Sequence, residues 1–177
     1  IMFSGGAALD PPDKRGTAYM MTGLLDEGAA DLDSQAFASA REALSASFSF
    51  DVSDDTLSIS VRILTENRAE ALALLKTALI KPRFDTEAVE RVRQQVLSIL
   101  ASNAQDPTDT AQRVWAEQAF GDHAYGASYQ GTESSITALT RADLLAAHQN
   151  LLVRDAVSVS AVGDITAEEL GPILDDL

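Results

Sequence analysis

The sequence predicts an α+β fold, a two-layer α/β sandwich in which helices pack on a mostly antiparallel sheet. Two observations lead to this prediction. Residues 46–52 and 57–63 alternate apolar and polar side chains, which is typical of strands with one buried face. Stretches with apolar residues three and four positions apart, typical of amphipathic helices, lie on both sides of this pair. Because a short turn joins the two strands, we expect them to pair as an antiparallel hairpin.

The first third of the chain is predicted to hold a short strand and two helices. Residues 1–3 are apolar and are interpreted as the remnant of a strand. The Asp-Pro-Pro-Asp sequence at residues 10–13 indicates a turn, because proline fixes φ and restricts the residue before it. Residues 16–25 carry the apolar side chains of a buried helix. Residues 34–44 form a second amphipathic helix, with Ser34 as its N-cap.

The chain after the hairpin is predicted to be helical except for one loop and one strand. Thr140 and Asp143 resemble a capping box, although aspartate is shorter than the usual glutamate. The predicted elements are, in order, a helix over residues 69–79 that Pro82 ends, a helix capped by Asp85 with an apolar stripe along residues 89–100, a helix with Val114, Trp115 and Phe120, a loop over residues 121–131, a helix from Thr140 to residue 151, a strand over residues 156–162 and a helix from Thr166 to Leu177.

Composition excludes several classes of function. The 177 residues fit one domain. The formal net charge of −14 disfavours binding to nucleic acid or to an anionic membrane surface. No apolar run reaches the length of a membrane-spanning helix, so no membrane insertion is expected. The chain has no cysteine, which rules out disulfides, thiolate catalysis and cysteine-based zinc sites.

The residues alone indicate no active site. His123 and His148 have no second ligand at helical spacing, so we expect a hydrogen-bonding loop residue and a structural helix residue, respectively. The acidic runs at residues 31–33 and 51–55 lack the oxygen spacing and central glycine of a calcium loop, and are interpreted as turn and cap residues. No serine lies in a nucleophile-elbow motif.

Several short motifs, in their order and spacing, resemble a known family. Together they resemble the N-terminal domain of the insulinase/pitrilysin-type zinc peptidases, the inverzincins, which include the mitochondrial processing peptidase. The resemblance covers nearly the whole chain and implies the fold of that peptidase. It also implies that residues 1–177 are a single peptidase-like domain, a fragment of a longer two-domain subunit without its first strand. The motifs are Gly16-Thr17-Ala18, Pro82-Arg83-Phe84-Asp85, Phe120-Gly121 with His123 and Gly126, Gly131-Thr132-Glu133, Thr140 with Asp143, and Val162-Gly163-Asp164.

The resemblance also assigns the positions where the family holds its metal. Active members carry His-x-x-Glu-His on the first helix, in which two histidines bind zinc and the glutamate activates water. A third ligand, a glutamate, follows on a later long helix. Aligned on Gly-x-Ala, the three motif positions hold Tyr19, Thr22 and Gly23 in this chain. The third-ligand position holds Ile99, and a second acidic position on that helix holds Val92.

None of these five side chains is a normal zinc ligand or general base. The resemblance therefore implies no catalytic residue, no metal and no bound cofactor in this chain, with zinc expected in an active partner subunit. Val92 and Ile99 share a helical face, and we expect both to have become part of the core. For Tyr19 two interpretations stay open: a packed aromatic residue, or one that contacts the substrate.

Several members of the family pair a metal-bearing subunit with a similar subunit that lacks the motif. The resemblance thus implies a catalytically silent domain that binds and positions a peptide substrate beside a homologous active zinc peptidase. Two alternatives stay open, namely an assembly or binding module of the same fold without enzymatic role, and an active metalloendopeptidase with an unusual metal site.

Assembly and location are further expectations. A missing first strand leaves a sheet edge open, and an open edge can pair with another chain. We therefore expect this chain to self-associate through that edge. Bacterial relatives of the family are often exported, which favours the periplasm over the cytoplasm.

Overall fold

The computed structural model describes residues 1–176 and shows helices packed on one face of a four-stranded antiparallel sheet, so the predicted fold class is confirmed. The predicted end of the last helix, at Leu177, lies outside the described residues. The strands are β1 (Met2–Ser4), β2 (Ser47–Val52), β3 (Thr56–Arg62) and β4 (Val157–Ser158), in the order β2-β3-β1-β4. The helices are α1 (Thr17–Thr22), α2 (Ser34–Ala43), α3 (Arg68–Ile80), α4 (Thr86–Asn103), α5 (Pro107–Phe120), α6 (Glu133–Ala138), α7 (Arg141–Leu151) and α8 (Ala167–Asp176).

The predicted hairpin is confirmed, and it sets the register of the sheet. Phe48 faces Val61, and Phe50 faces Ile59. Phe48 and Ile59 are buried while their neighbours in sequence are more exposed, as the alternating pattern requires. A slip of one residue would turn every buried side chain to solvent, so the apolar pattern fixes the register.

The strand at the start of the chain is confirmed, and it lies inside the sheet. β1 pairs with β3 on one side and with β4 on the other, both antiparallel. Among the described residues, the edges of the sheet are therefore β2 and β4. Self-association through a sheet edge stays a prediction.

The strand predicted over residues 156–162 is wrong beyond Ser158. Val157 pairs with Phe3, and Ser158 pairs with Met2. Within the described residues no ladder pairing follows Ser158, and Val162 lies fully in solvent. The alternating pattern was present, but alternation alone does not provide a pairing partner.

Local capping explains two further differences from the prediction. The N-cap of α2 is Asp33 and not Ser34, because the Asp33 carboxylate accepts a hydrogen bond from the Ala36 amide at 2.9 Å. Asp85 occupies the N-cap position of α4 as predicted, but its carboxylate makes no cap hydrogen bond and pairs instead with the Arg83 guanidinium at 2.6 Å.

The capping box at Thr140 and Asp143 is confirmed, since each side chain bonds to the backbone amide of the other residue. A second capping box, formed by Thr132 and Ser135, begins α6, a helix that the sequence analysis did not predict. With six residues, α6 is too short for an apolar period to stand out.

α1 runs through the centre of the core. Ala18, Met20 and Met21 are completely buried. The helix ends at Thr22 and not at residue 25 as predicted, because the chain turns at Gly23, although Leu24 and Leu25 are still completely buried.

The start of α1 is held by a close backbone approach. Gly16 has a φ of +90°, and a Cβ there would lie 2.5 Å from the Gln130 carbonyl oxygen. Gly131 has a φ of +82°, and a Cβ there would lie 2.3 Å from the Arg15 carbonyl oxygen. Both positions therefore require glycine, so the loop that contains Gly131 can lie against the start of the helix.

A buried carboxylate completes this end of α1. Asp10 accepts hydrogen bonds from the amides of Gly16 at 3.0 Å and Ala18 at 3.1 Å, which would otherwise have no partner at the helix start. Burial raises the pKa of Asp10 from 3.8 to about 6, although these hydrogen bonds and the charge of Arg15 oppose the rise.

Arg93 holds two elements together. Its guanidinium donates to the carbonyl oxygen of Ile136, in α6, and to that of Leu139 at 2.9 Å. α4 is thereby tied to the junction between α6 and α7. Arg91, on the same helix, forms an exposed ion pair with Glu27.

None of the helices formed by residues 1–176 combines the length and the apolar character that a membrane crossing requires.

Asp10 makes stability depend on pH in a defined window. Because its pKa is raised in the folded state, the folded protein holds this proton more tightly than the unfolded chain. Asp10 therefore contributes most to stability below about pH 4, and we expect this contribution, about 2 to 3 kcal/mol, to be lost as the pH rises to about 6. Asp143 has a pKa lowered to about 2 by its hydrogen bond with Lys14, so its contribution is lost at lower pH, outside this window.

Urea unfolding of wild type and Asp10→Asn from about pH 4 to about pH 6 measures this effect, because asparagine does not titrate. The free energy of unfolding of wild type should fall across the window relative to that of the variant. Parallel curves for the two proteins would show that Asp10 is not the group responsible.

Arg93→Ala should lower the free energy of unfolding by about 1 to 3 kcal/mol, because two carbonyl groups lose their donor. Arg91→Ala is the matched control on the same helix, and loss of its exposed ion pair should cost less than about 1 kcal/mol. Thermal or urea unfolding of both variants measures the difference. Equal losses would contradict the role given to Arg93.

Candidate functional site

The structure brings together four of the five positions that the resemblance assigned to the metal site of the family. Tyr19 and Thr22 lie on α1, and Gly23 is its C-cap. A Cβ on Gly23 would lie 3.3 Å from Cγ1 of Val92 on α4. The alignment that the sequence suggested is therefore consistent in space, since positions far apart in the chain meet where α1 packs on α4.

Tyr19 is half-buried and packs against Tyr129 of the loop over residues 121–131. The two rings meet edge to face, with their centroids 5.7 Å apart and an interplanar angle of 81°. This geometry is favourable for aromatic pairs. The structure thus shows Tyr19 as a packed aromatic residue on the rim of the site.

Thr22 and Gly23 offer no catalytic group. Thr22 is buried, and its hydroxyl donates to the Tyr19 carbonyl oxygen at 2.8 Å, so its donor is used inside the helix. Gly23 has no side chain, and its amide bonds to the same carbonyl oxygen at 3.3 Å. Neither residue presents an atom that could take a proton from water.

The expectation that Val92 and Ile99 are both core residues is wrong for Ile99. Val92 is buried, but 38% of Ile99 is exposed. The two residues share a face of α4, but the buried stretch of that face ends at Val96. Leu97 and Leu100 still pack partly against the core, so Ile99 lies on the exposed side of this part of α4.

The residues at these positions do not fit a zinc ion. A catalytic zinc takes three protein ligands from histidine, carboxylate or thiolate groups. Within residues 1–176, no group of three or more such side chains is placed to hold a metal. Tyr19, Gly23 and Ile99 provide no ligand set, because their side chains are a phenol, a hydrogen atom and an alkyl group.

Both histidines are used in structural contacts, as predicted. Nδ1 of His123 accepts a hydrogen bond from the Tyr125 amide at 3.2 Å. Nε2 of His148 lies 2.7 Å from the Leu79 carbonyl oxygen, linking α7 to α3.

The contacts of Tyr125 and Tyr129, the two tyrosines of the loop over residues 121–131, were not predicted from the sequence. The Tyr125 hydroxyl donates to the Asp55 carboxylate at 2.7 Å, which raises the pKa of Tyr125. Burial and the neighbouring charges of Tyr19, Asp54, Asp109 and Asp51 raise the pKa of Tyr129. The only signal in the sequence was the pair of tyrosines in an otherwise small and polar loop.

Comparisons with known proteins agree with this structure. A protein of Helicobacter pylori named "Non-peptidase homolog YmxG" is 27% identical over 169 residues, which are 96% of this chain and 39% of that protein. An uncharacterized zinc protease of Mycobacterium leprae is 27% identical over 108 residues, which are 61% of this chain and 24% of that protein. The chain thus spans well under half the length of these relatives.

Solved structures show the same fold. A crystal structure described as the peptidase M16 inactive domain from Pseudomonas fluorescens superimposes with a TM-score of 0.94 and 28% identity, covering 99% of this chain and 43% of that one. A protease from Helicobacter pylori superimposes with a TM-score of 0.89 at 16% identity, covering 99% and 42%, which shows the shared fold alone.

The match to a family model settles membership. The model described as "Insulinase (Peptidase family M16)" matches residues 1–133, well over half of the 177 residues. The resemblance stated from the motifs is thereby confirmed, and the chain belongs to the insulinase family of peptidases, family M16.

Proposed function

We propose that this chain is a catalytically silent, peptidase-like domain that pairs with an active zinc peptidase of its own family. In that pair it helps to bind and position the peptide substrate, while the partner subunit holds the zinc. The observation that carries the proposal is the contrast between the fold of the family and a predicted metal position filled by Tyr19, Thr22, Gly23 and Ile99.

The residues kept from the family motifs support this proposal because they have structural tasks here. Gly16 and Gly131 allow the close backbone approach beside α1. Ser135 donates to the Arg15 carbonyl oxygen at 2.7 Å, on the same contact. These contacts maintain the fold, which a subunit that binds a peptide still requires. Such a subunit does not require zinc ligands.

The relatives support the same interpretation. YmxG is named a non-peptidase homolog, and the domain from Pseudomonas fluorescens is described as inactive. Other relatives are named as uncharacterized zinc proteases, so the family includes both kinds of name. The side chains of Tyr19, Gly23 and Ile99, which are not zinc ligands, support grouping this chain with the first kind.

The vacated position, meaning the predicted metal position where Tyr19, Thr22, Gly23 and Ile99 replace the residues of the family, offers surface for contact and no group for catalysis. Tyr129 and Ile99 are each 38% exposed, and Tyr19 lies beside Tyr129. The exposed ring of Tyr129 beside Tyr19 and the exposed alkyl side chain of Ile99 on α4 each offer apolar surface that can hold a side chain of an extended peptide.

The pairing is tested by purifying the chain alone and together with an active zinc peptidase of the family. Alone, the chain should cleave no peptide, with or without added zinc. Added to the peptidase, it should form a stable complex and raise kcat/KM by about tenfold or more, because a positioned peptide reacts faster. Zinc-dependent cleavage by the chain alone would contradict the proposal and support an active metalloendopeptidase with an unusual metal site. A stable complex with unchanged turnover would instead support an assembly module without enzymatic role.

The contribution of the vacated position is tested in the same assay. Combined Ile99→Ala and Tyr129→Ala substitutions should raise the KM of the complex about threefold to tenfold, since each removes exposed apolar surface from the peptide contact. Val162→Ala, at a fully exposed residue, is the matched control and should leave KM unchanged. An unchanged KM in the double variant would remove this position from the substrate contact.

A further inference from the structure

β4 lies at one edge of the sheet, and the chain continues beyond it without a backbone partner. We call residues 157–162 the open edge, whose sequence is Val-Ser-Val-Ser-Ala-Val. Its first two residues pair with β1, but within the described part of the chain no backbone hydrogen bond uses residues 159–162. Val162 is fully exposed. The open edge also lacks the charges and the proline by which sheet edges usually avoid pairing with another strand.

Every second residue of the open edge directs its backbone groups away from the sheet. Ile1 and Ile59 exchange two backbone hydrogen bonds, so the backbone groups of the next residue, Met2, point to the other side, towards β4. Met2 pairs with Ser158. The amide and carbonyl groups of Ser158 are thus used by β1, and by the same alternation those of the two neighbouring valines point outward. These outward groups can bond to a further strand.

The charges around the two edges of the sheet differ. Residues 46–55, around β2, contain three aspartates and no lysine or arginine, so a second copy would bring like charges together there. The open edge is uncharged and lies between Arg154 and Asp164, two residues of opposite charge. Neither side chain belongs to an ion pair formed within the described residues. In a chain with a net charge of −14, this is the edge that a second copy approaches with less repulsion.

We propose that two copies of this chain pair through their open edges as antiparallel strands related by a twofold axis. Residues that face each other across a ladder lie on the same side of the sheet. Val157 pairs with the buried Phe3 and therefore lies on the side that the helices cover. Odd-numbered residues of one open edge must consequently meet odd-numbered residues of the other, because a shift by one residue would turn valine side chains to the wrong side.

The flanking charges select one of the registers that remain. When the twofold axis passes through Val159, residues 156–162 of the two copies pair along their whole length. The same register places Arg154 opposite Asp164 of the second copy at each end, while Asp155 faces a glycine and no acidic residue. Exposed ion pairs of this kind contribute little to affinity, but they favour one register over the others.

Disulfide trapping measures this register directly, because the chain has no cysteine of its own. Chains with Ser158→Cys are mixed with chains with Ser160→Cys and oxidised. In the proposed dimer these two positions form a non-hydrogen-bonded pair, with Cα atoms about 4.5 Å apart, which suits a disulfide. Either variant alone has its cysteines on a diagonal, with Cα atoms about 7 to 8 Å apart, which is too far for a disulfide without backbone movement.

We expect the mixture to form disulfide-linked dimers about tenfold faster than either variant alone. Equal rates in the mixture and in the separate variants would overturn the proposed register. Failure of the mixture to form linked dimers would overturn the proposal as a whole.

A charge exchange tests the two ends of the dimer by sedimentation. Arg154→Glu should raise the dissociation constant by about tenfold, because each end loses an ion pair and gains a repulsion. Adding Asp164→Arg to that variant restores opposite charges and should return the constant to within about twofold of wild type. Arg62→Glu makes the same change in net charge on β3, which β1 separates from β4, and should change the constant by less than about twofold.

Rescue by the second substitution also shows that the first variant is folded. No rescue, or equal weakening by Arg154→Glu and Arg62→Glu, overturns the proposal, and so does a wild-type chain that remains monomeric at every concentration. Because no peptidase takes part in these measurements, their outcome does not depend on the proposed function.

Discussion

The fold depends on a buried carboxylate that completes a helix too short to be stable by itself. α1 has six residues, so most of its backbone groups lack a partner within the helix. Asp10 accepts hydrogen bonds from its first amides, and the close approach of Gly16 and Gly131 holds the neighbouring loop against the same end. With that end fixed, Met20 and Met21 occupy the centre of the core and the other helices pack around them.

This arrangement explains how the fold of the family can persist while the predicted metal position carries no zinc ligand. The scaffold contacts at the start of α1 involve no residue of the metal position. That position lies on another part of the helix, where Thr22 is satisfied by a backbone carbonyl and Gly23 leaves room for Val92. Losing zinc ligands therefore leaves no unpaired buried group, and the substitutions carry little cost in stability. The surface beside the predicted metal position carries aromatic and acidic side chains, among them Tyr129 and Asp109.

Much of the fold was predictable from the sequence, and the differences have physical causes. The hairpin followed from the alternation of residues such as Phe48 and Ile59, because one buried face imposes a period of two. The strand after Ala156 was overestimated because alternation does not show which residues find a pairing partner, and β4 pairs with β1 only at Val157 and Ser158. α6 was missed because six residues show no period, although Thr132 begins it with a clear cap. The metal position assigned by motif spacing stays a prediction, and the exposure of Ile99 depends on tertiary packing that the helical period does not show. Tyr125 and Tyr129 lie in an irregular loop, and only the tertiary structure brings them beside the hairpin turn.

The central claim is that side-chain replacement alone, on an intact scaffold, removed the metal site. Metal analysis of purified wild type and of a variant with Tyr19→His, Thr22→Glu, Gly23→His and Ile99→Glu tests it most directly, because these four changes rebuild the ligand set and base of the family. We expect wild type to carry no stoichiometric zinc and the variant to bind one zinc ion for each chain. Stoichiometric zinc in wild type would contradict the claim, and so would a folded variant that binds none.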